Sequence, residues 1–499
     1  MGRAMLALLA GDDASTAARS GGADWPQWRG PERTGVSRES GWSAAGAEAP
    51  LWRRTLGIGH SSFAVADGRV YTLGHDRAER LDTVYCLNID TGEDLWTHSY
   101  PSLVWDNAHS GGTLTTPTVV GAAVYTSNRE GKVFCFDAET GGVRWSRDLR
   151  AEMELVPPTW GFSASPLVVD DLVLMNVDRL VALDRATGDE VWVSWKPYGI
   201  SYSTPAPFEL DGRTALASLS GDGLAVIDVE EGSEVAFFPW VKRPQIYPMT
   251  PVVMSDRIFI SAGYSRGCAM LQLAEGELTE LWGGRMMRNK MSGCVLHAEH
   301  LFGFDESILK CIDLEGNMKW RVRGLGTGSM TVAGDRLVIL DGKGQVIVAE
   351  ANPDEYVELS KQRVFDDGTG WSTPVLSHGR IFCRSSTGEV ACLDHRGAAG
   401  DAVALASDAR SLLEATEVLA RHTAAMGGRE ALGRVGAIRM KGPGESLRNT
   451  VRKGPVELDW AASIGFVWRD DTGFQLGYDA DAGWIAGTRA GPVVLEGEP

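Results

Sequence analysis

Aromatic, basic and amide side chains gather in seven short stretches of this 499-residue chain, each just ahead of an apolar run. They are His60-Ser61, Trp105-Asp106-Asn107-Ala108-His109, Trp160-Gly161-Phe162-Ser163, Tyr198 to Tyr202, Gln245-Ile246-Tyr247, Arg288-Asn289-Lys290 and Gly370-Trp371. A few polar groups among aromatic walls is the make-up of a pocket for a small molecule or a peptide. The expected lining is His60, Trp105, Asp106, Asn107, His109, Trp160, Phe162, Tyr198, Tyr202, Tyr247, Arg288, Asn289, Lys290 and Trp371. No catalytic residue is assigned. There is no His-Glu-x-x-His and no Cys-x-x-Cys, so a zinc site has no ligand set, and no nucleophile elbow is expected. The paired acids Asp366-Asp367 and Asp470-Asp471 read as solvated turn residues.

The elements that must position these loops are legible in one unit, Thr116–Trp145. It holds four strand candidates: Thr118–Val120, Ala123–Thr126, Lys132–Phe136 and Val143–Trp145. Gly121-Ala122 makes a two-residue turn, and Asp137-Ala138-Glu139-Thr140-Gly141 closes the third hairpin. There the Asp carboxylate can take backbone amides and the Gly a left-handed conformation. Four antiparallel strands in one such repeat make a propeller blade. The inner turn recurs at Asp67-Gly68, Asp170-Asp171, Asp211-Gly212, Ser255-Asp256, Ala298-Glu299, Gly334-Asp335 and His378-Gly379, giving eight blades.

Closing tryptophans are expected at the blade junctions: Trp96, Trp145, Trp192, Trp240, Trp282 and Trp320, each wedged between neighbours with its indole N–H on a backbone carbonyl. The seventh blade lacks one and should be the weakest junction. The eighth offers only three strands, and the missing strand has a donor in Pro50-Leu51-Trp52-Arg53, whose Trp52 completes the junction set. Closure by an N-terminal strand removes the open edge. The fold class is therefore all-β, an eight-bladed propeller of four-stranded antiparallel blades, followed by a small C-terminal α+β domain.

A formal charge of −18 and a pI near 5 exclude nucleic acid as a partner. No apolar run reaches the length of a membrane span. Cys86, Cys135, Cys311 and Cys392 hold the same place in different blades, so they are expected as buried small hydrophobes and not as disulfides. Residues 1–23 read as a poor signal-like or disordered leader: Ala4–Ala10 is apolar, but Asp12-Asp13 interrupts it. Residues 24–397 form the propeller with its N-terminal arm, DWPQWRGP, which is expected to bury Trp25 and Trp28 against it.

The turns Asp137…Gly141…Trp145 and Asp184…Gly188…Trp192, with variants before Trp96 and Trp320, resemble the pyrroloquinoline quinone (PQQ)-like repeat. That repeat builds the eight-bladed propellers of quinoprotein alcohol dehydrogenases and of BamB-type outer-membrane assembly lipoproteins. DWPQWRGP followed by Gly35-Val36-Ser37 further resembles a large group of bacterial PQQ-like repeat proteins. The resemblance implies a periplasmic or secreted location and a non-enzymatic scaffold that binds a protein, a peptide or a small ligand in its funnel. It leaves two alternatives. One is a PQQ-dependent alcohol or sugar oxidoreductase, which would need cations for three carboxylates and six to eight oxygens for Ca²⁺. In these loops Arg288, Lys290, Asp106 and Asn107 fall short of that set, so no cofactor is expected. The other alternative is lipid or lipoprotein handling. Residues 398–406 form a linker, and 407–499 open with a helix over Ser407–Met426 stopped by Gly427-Gly428. Strands follow at Ala437–Lys441, Val456–Trp460, Gly465–Arg469, Phe474–Tyr478 and Pro492–Leu495. The helix-GGREAL-strand opening resembles the start of LolA-like half-barrels, which hold acyl chains in some relatives.

Overall fold

Three-residue inner strands, followed by a tight turn and a longer returning strand, begin most of the blades. In the first, Ala64–Ala66 turns at Asp67 and Gly68, both in the left-handed region (φ 50° and 72°), and returns as Arg69–Asp76. Paired positive φ values give the turn a twist that matches the flanking strands. The computed structural model describes residues 22–104, 111–241 and 245–397, and the strands of a C-terminal sheet within 437–495. Eight antiparallel sheets form the propeller, each running from inner to outer strand in chain order. The eighth sheet is completed from the far end of the chain. Trp52–Thr55 pairs antiparallel with Glu389–Asp394 in the register Trp52↔Cys392 to Thr55↔Glu389. The third hairpins close as their residues dictate. The Asp137 carboxylate accepts from the amides of Glu139 (3.2 Å) and Thr140 (2.9 Å), and Gly141 is left-handed.

The junctions show how the ring is held. Trp52, Trp96, Trp145, Trp192, Trp282 and Trp320 each donate an indole N–H to the next blade, to the carbonyls of Ile89, Ala138, Arg185, Val229, Leu314 and Asn352 at 2.8–3.0 Å. For all of these except Trp320, which packs beside Tyr356, the ring lies on a glycine of that blade's closing turn. A Cβ at Gly92, Gly141, Gly188 or Gly232 would come within 2.5–2.7 Å of the indole, so only glycine fits. Across the strand, Trp96, Trp145, Trp320 and Trp52 stand opposite Cys86, Cys135, Cys311 and Cys392. All seven cysteines are buried thiols, and burial pushes the Cys86 thiol up to about 11.

Two junctions depart from the expectation. In blade four the register Val226↔Ala236 puts Ala236, not Trp240, at the closing position. Trp240 lies beyond the strand Glu234–Pro239, at the opposite end of the same junction. There it is buried against Tyr247 (5.8 Å between rings) and beneath the Arg266 guanidinium at 3.7 Å. In blade seven the closing position is Ser360, and the N-terminal segment supplies the missing ring. Trp42 is buried between blades seven and eight, against Val348, Leu376 and Leu393. His395, the residue equivalent to Ile89, packs edge-on to it at 6.2 Å and accepts from the Ser43 amide at 2.7 Å; the Ser360 hydroxyl donates to the Ala44 carbonyl at 2.6 Å. The junction expected to be weakest is therefore filled, because a wedge need not come from the repeat that it serves.

The arm is more than a surface strap. Trp25 bridges Val65 of blade one, Pro26 accepts from the Val119 amide of blade two (2.8 Å), and Arg33 donates to the Val168 carbonyl of blade three (2.5 Å). Arg29, fully buried, donates to the Cys294 carbonyl of blade six at 2.9 Å. Val36–Ser37 adds a parallel strand to the inner edge of blade seven, and the Ser37 hydroxyl reaches the Leu376 carbonyl of blade eight at 3.1 Å. One short segment thus ties together six inner strands around the axis.

A second unit, Ala399–Pro499, contains a six-stranded antiparallel meander running Ala437–Ser446, Arg452–Ala461, Gly465–Asp470, Gln475–Tyr478, Gly483–Gly487 and Ala490–Leu495. The strand Gly483–Gly487 had no expectation from the sequence. Residues 1–21 of the expected leader 1–23, and the helix expected over Ser407–Met426, lie outside the described residues.

Candidate functional site

The loops that enter the inner strands meet at one end of the axis and enclose a cavity of about 150 Å³. His60, Leu114, Ser163, Tyr202, Ile246, Lys290 and Trp371 contribute from seven blades, and Arg129 and Tyr264 come from hairpin turns. Trp28 of the arm closes the side toward the inner strands, with its indole N–H on the Thr250 hydroxyl at 3.0 Å.

Of the residues expected to line it, five do: His60, Trp160, Tyr202, Lys290 and Trp371. His60 stacks on Trp371 with ring centroids 5.1 Å apart and planes 22° from parallel. Lys290 holds its ammonium 5.1 Å above the Tyr264 ring and forms no ion pair among the described residues. Burial pushes the Tyr202 hydroxyl up to about 12, keeping it a neutral donor, although the Trp160 amide works against the shift. Trp105, Asp106, Asn107 and His109 lie outside the described residues.

The other five serve the fold. Phe162 is core between blades two and three. Tyr198 is buried and donates to Glu234 at 2.8 Å; Tyr247 is core beside Trp240, its hydroxyl on the Trp240 carbonyl at 3.1 Å. Arg288 turns away to a bidentate pair with Asp305 (2.6 and 3.0 Å), which also binds Lys310 at 2.6 Å. Burial opposes ionisation of Asp305, but the two cations outweigh it and hold its pKa below the usual carboxylate range. Asn289 is fully buried, its amide on the Phe304 carbonyl at 3.2 Å and its oxygen accepting from the Cys294 thiol. Successive residues of an extended loop point to opposite sides, so Lys290 faces the axis and Asn289 the blade.

Sequence reasoning missed Trp28, Arg129 and Tyr264. Arg129, in the turn between Ala123–Ser127 and Lys132–Asp137, is buried with its guanidinium on the Trp160 carbonyl at 2.8 Å, and burial lowers its pKa. Tyr264 belongs to Gly263-Tyr264-Ser265-Arg266-Gly267, which does spell Gly-x-Ser-x-Gly, contrary to the expectation of no such string. It is a hairpin turn joining Arg257–Ala262 to Gly267–Ala274, not the strand-to-helix elbow that exposes a nucleophile.

Among the described residues, none of those lining the cavity supplies the oxygen ligands that PQQ with Ca²⁺ would need. Among the described residues no carboxylate lines the cavity, and no three His, Cys, Asp or Glu side chains are grouped to hold a metal. Arg288 is already neutralised by Asp305.

The ring, its wedges and its turns define a β-propeller of PQQ-like repeats, the architecture shared by BamB and the quinoprotein alcohol dehydrogenases. A family profile described as outer membrane protein assembly factor BamB matches residues 80–316. The chain is 23% identical to the outer membrane protein assembly factor BamB of Yersinia pestis, across 63% of this chain and 80% of that one. In structure it is similar to BamB from Moraxella catarrhalis, with a TM-score of 0.50 at 17% identity, covering 69% of this chain and 97% of that one. It is also similar to the quinohemoprotein alcohol dehydrogenase of Comamonas testosteroni, with a TM-score of 0.56 at 12% identity, covering 77% and 82%.

Proposed function

We propose that the protein is a non-enzymatic scaffold of the bacterial cell envelope that docks a protein partner on the face bearing the inter-blade loops, in outer-membrane protein assembly. One observation carries the reading. Five consecutive inter-blade loops, from blade one to blade six, each present a large exposed apolar side chain on that face: Leu103, Val156, Trp195 with Ile200, Val241 and Met286. Val156 is 87% exposed and Trp195 69%. Among the described residues the loops entering blades seven, eight and one carry no such group. Water-facing apolar groups on neighbouring loops are costly and mark an interaction surface, with an aromatic anchor such as Trp195 at its centre. Lys196 lies 4.8 Å over the Trp195 ring and pairs with Glu234 at 2.7 Å, which holds the anchor in place. No helix of the described residues is long and apolar enough to cross a membrane. The match to an assembly factor supports the role, and the crescent of apolar loops supports the surface.

The test is crosslinking in envelope extracts with wild-type protein and a Trp195→Glu/Val241→Glu variant. Wild type should capture a discrete outer-membrane assembly component, and the variant, melting as wild type does, should lose it. Equal capture by both refutes the surface.

A further inference from the structure

Six of the eight blade junctions contain a tryptophan at the closing position of their own outer strand, and a seventh is filled by Trp42 from the N-terminal segment. The junction between blades four and five has none. Its closing position is Ala236, and its aromatic ring, Trp240, has moved to the other end. The receiving glycine is nevertheless there. Gly276 is left-handed (φ 77°), like Gly92 and Gly141, but the nearest atom to a Cβ built on it is the Val235 carbonyl oxygen at 3.8 Å, where its counterparts meet an indole. A groove of about 350 Å³ opens at this place, with Leu210 and Val235 on its walls and Gly276 at one end.

The rim of the groove is acidic. Glu209, Asp211, Asp256 and Glu275 line it, and none forms an ion pair among the described residues. Asp256 accepts from the Gln272 amide and Glu209 from the Thr214 hydroxyl, so both carboxylates are oriented but not neutralised. Arg213, two residues beyond Asp211, is occupied by Asp228, Glu230 and Glu231.

We propose that this groove is a docking site for a partner segment bearing an aromatic side chain flanked by arginine or lysine, which supplies in trans the wedge that blade four lacks. Trp42 shows the same arrangement within the molecule: a ring from a segment outside the repeat seats between two blades, with the Arg336 guanidinium 5.1 Å above it. In the groove the ring replaces the missing indole against Gly276, and the flanking cations meet the four carboxylates. The site lies on the face of the inner-strand turns, opposite the apolar loops, and is independent of the docking surface proposed above.

The probe is the capped tripeptide Ac-Arg-Trp-Arg-NH2, titrated by calorimetry at physiological salt. Saturable one-to-one binding is expected, weakened on the order of tenfold or more when the central residue is alanine, because the buried ring is the larger part of the contact. Ala236→Trp fills the groove from within and should abolish binding while raising the melting temperature. Asp256→Asn/Glu275→Gln, which leaves the apolar walls intact, should weaken binding severalfold and flatten its salt dependence. Equal affinity for Ac-Arg-Ala-Arg-NH2, unchanged binding to Ala236→Trp, or no saturation at millimolar peptide overturns the proposal. So does a dimer in sedimentation that Ala236→Trp dissolves, since the occupant is then a second copy. Trp195→Glu/Val241→Glu should bind the tripeptide as wild type does, so failure of the apolar-loop surface and failure of the groove are read separately.

Discussion

Replacing Trp42 by alanine should destabilise the propeller as much as removing a wedge from within a blade. The side chain is 7% exposed, so nearly all of its surface is withdrawn from water. A buried aromatic of about 150–250 Å² at about 25 cal/mol/Å² is worth roughly 4–6 kcal/mol as an upper bound. Emptied tryptophan sites in other cores cost about 3–5 kcal/mol. The Arg336 guanidinium at 5.1 Å and the edge contact with His395 are lost with it, which favours the upper half of that range. Urea unfolding followed by far-ultraviolet circular dichroism gives the comparison, with Trp145→Ala as the reference and Trp42→Phe as a partial rescue. A Trp42→Ala protein within about 1 kcal/mol of wild type would show that blades seven and eight are held without the N-terminal wedge, and the account of the junctions would fail.

Trp25→Ala should cost about as much as Trp145→Ala, roughly 3–5 kcal/mol, because Trp25 is 2% exposed and Trp145 8%; a cost under about 1 kcal/mol would make the arm an accessory. Burial lowers the His395 pKa from its ordinary 6.5, against the opposing pull of the Ser43 carbonyl and Asp394, so the fold favours neutral imidazole. That contribution is complete above about pH 6.5 and declines as the pH falls toward the depressed folded value, because the unfolded chain takes the proton first. Unfolding titrations between pH 7.5 and 5 should show the decline in wild type and a flatter profile in His395→Gln; identical profiles would remove His395 as the cause. Titration with PQQ and Ca²⁺ should show neither stoichiometric binding nor alcohol-dependent dye reduction, and finding both would restore the oxidoreductase reading.

The repeat was legible because its signals are local: a two-residue turn, an Asx turn and a tryptophan at a set distance. The strand Trp52–Thr55 could be placed because the eighth blade was visibly one strand short. Trp240 was misplaced because spacing along the chain is not register across strands. A bulge precedes Ala236, as it does Trp96, and pairing with Val226 fixes which residue reaches the neighbouring blade. Trp42 escaped notice since no repeat contains it. In the pocket, residue type predicted the chemistry of the lining but not which neighbour would face it. Arg288 and Asn289 were lost to Asp305 and Phe304, partners seventeen and fifteen residues away, whereas Lys290 has only the Tyr264 ring among the described residues. Arg129 and Tyr264 sit in turns, where sequence argues for solvent, and only the convergence of eight blades turns them inward.

Closure by a segment made before its partners also sets a schedule. Trp42 and Trp52 leave the ribosome early, yet their partners His395 and Cys392 are about 340 residues downstream, which at about 5–20 residues per second is roughly 17–70 s of synthesis. For that interval blade one has no outer neighbour, the arm has no ring to thread, and two aromatic wedges stay in water. Contacts of such sequence separation come last in folding. The ring cannot close before blade eight has been made, and until then the strand Trp52–Thr55 and the edge that it covers both lack their partner.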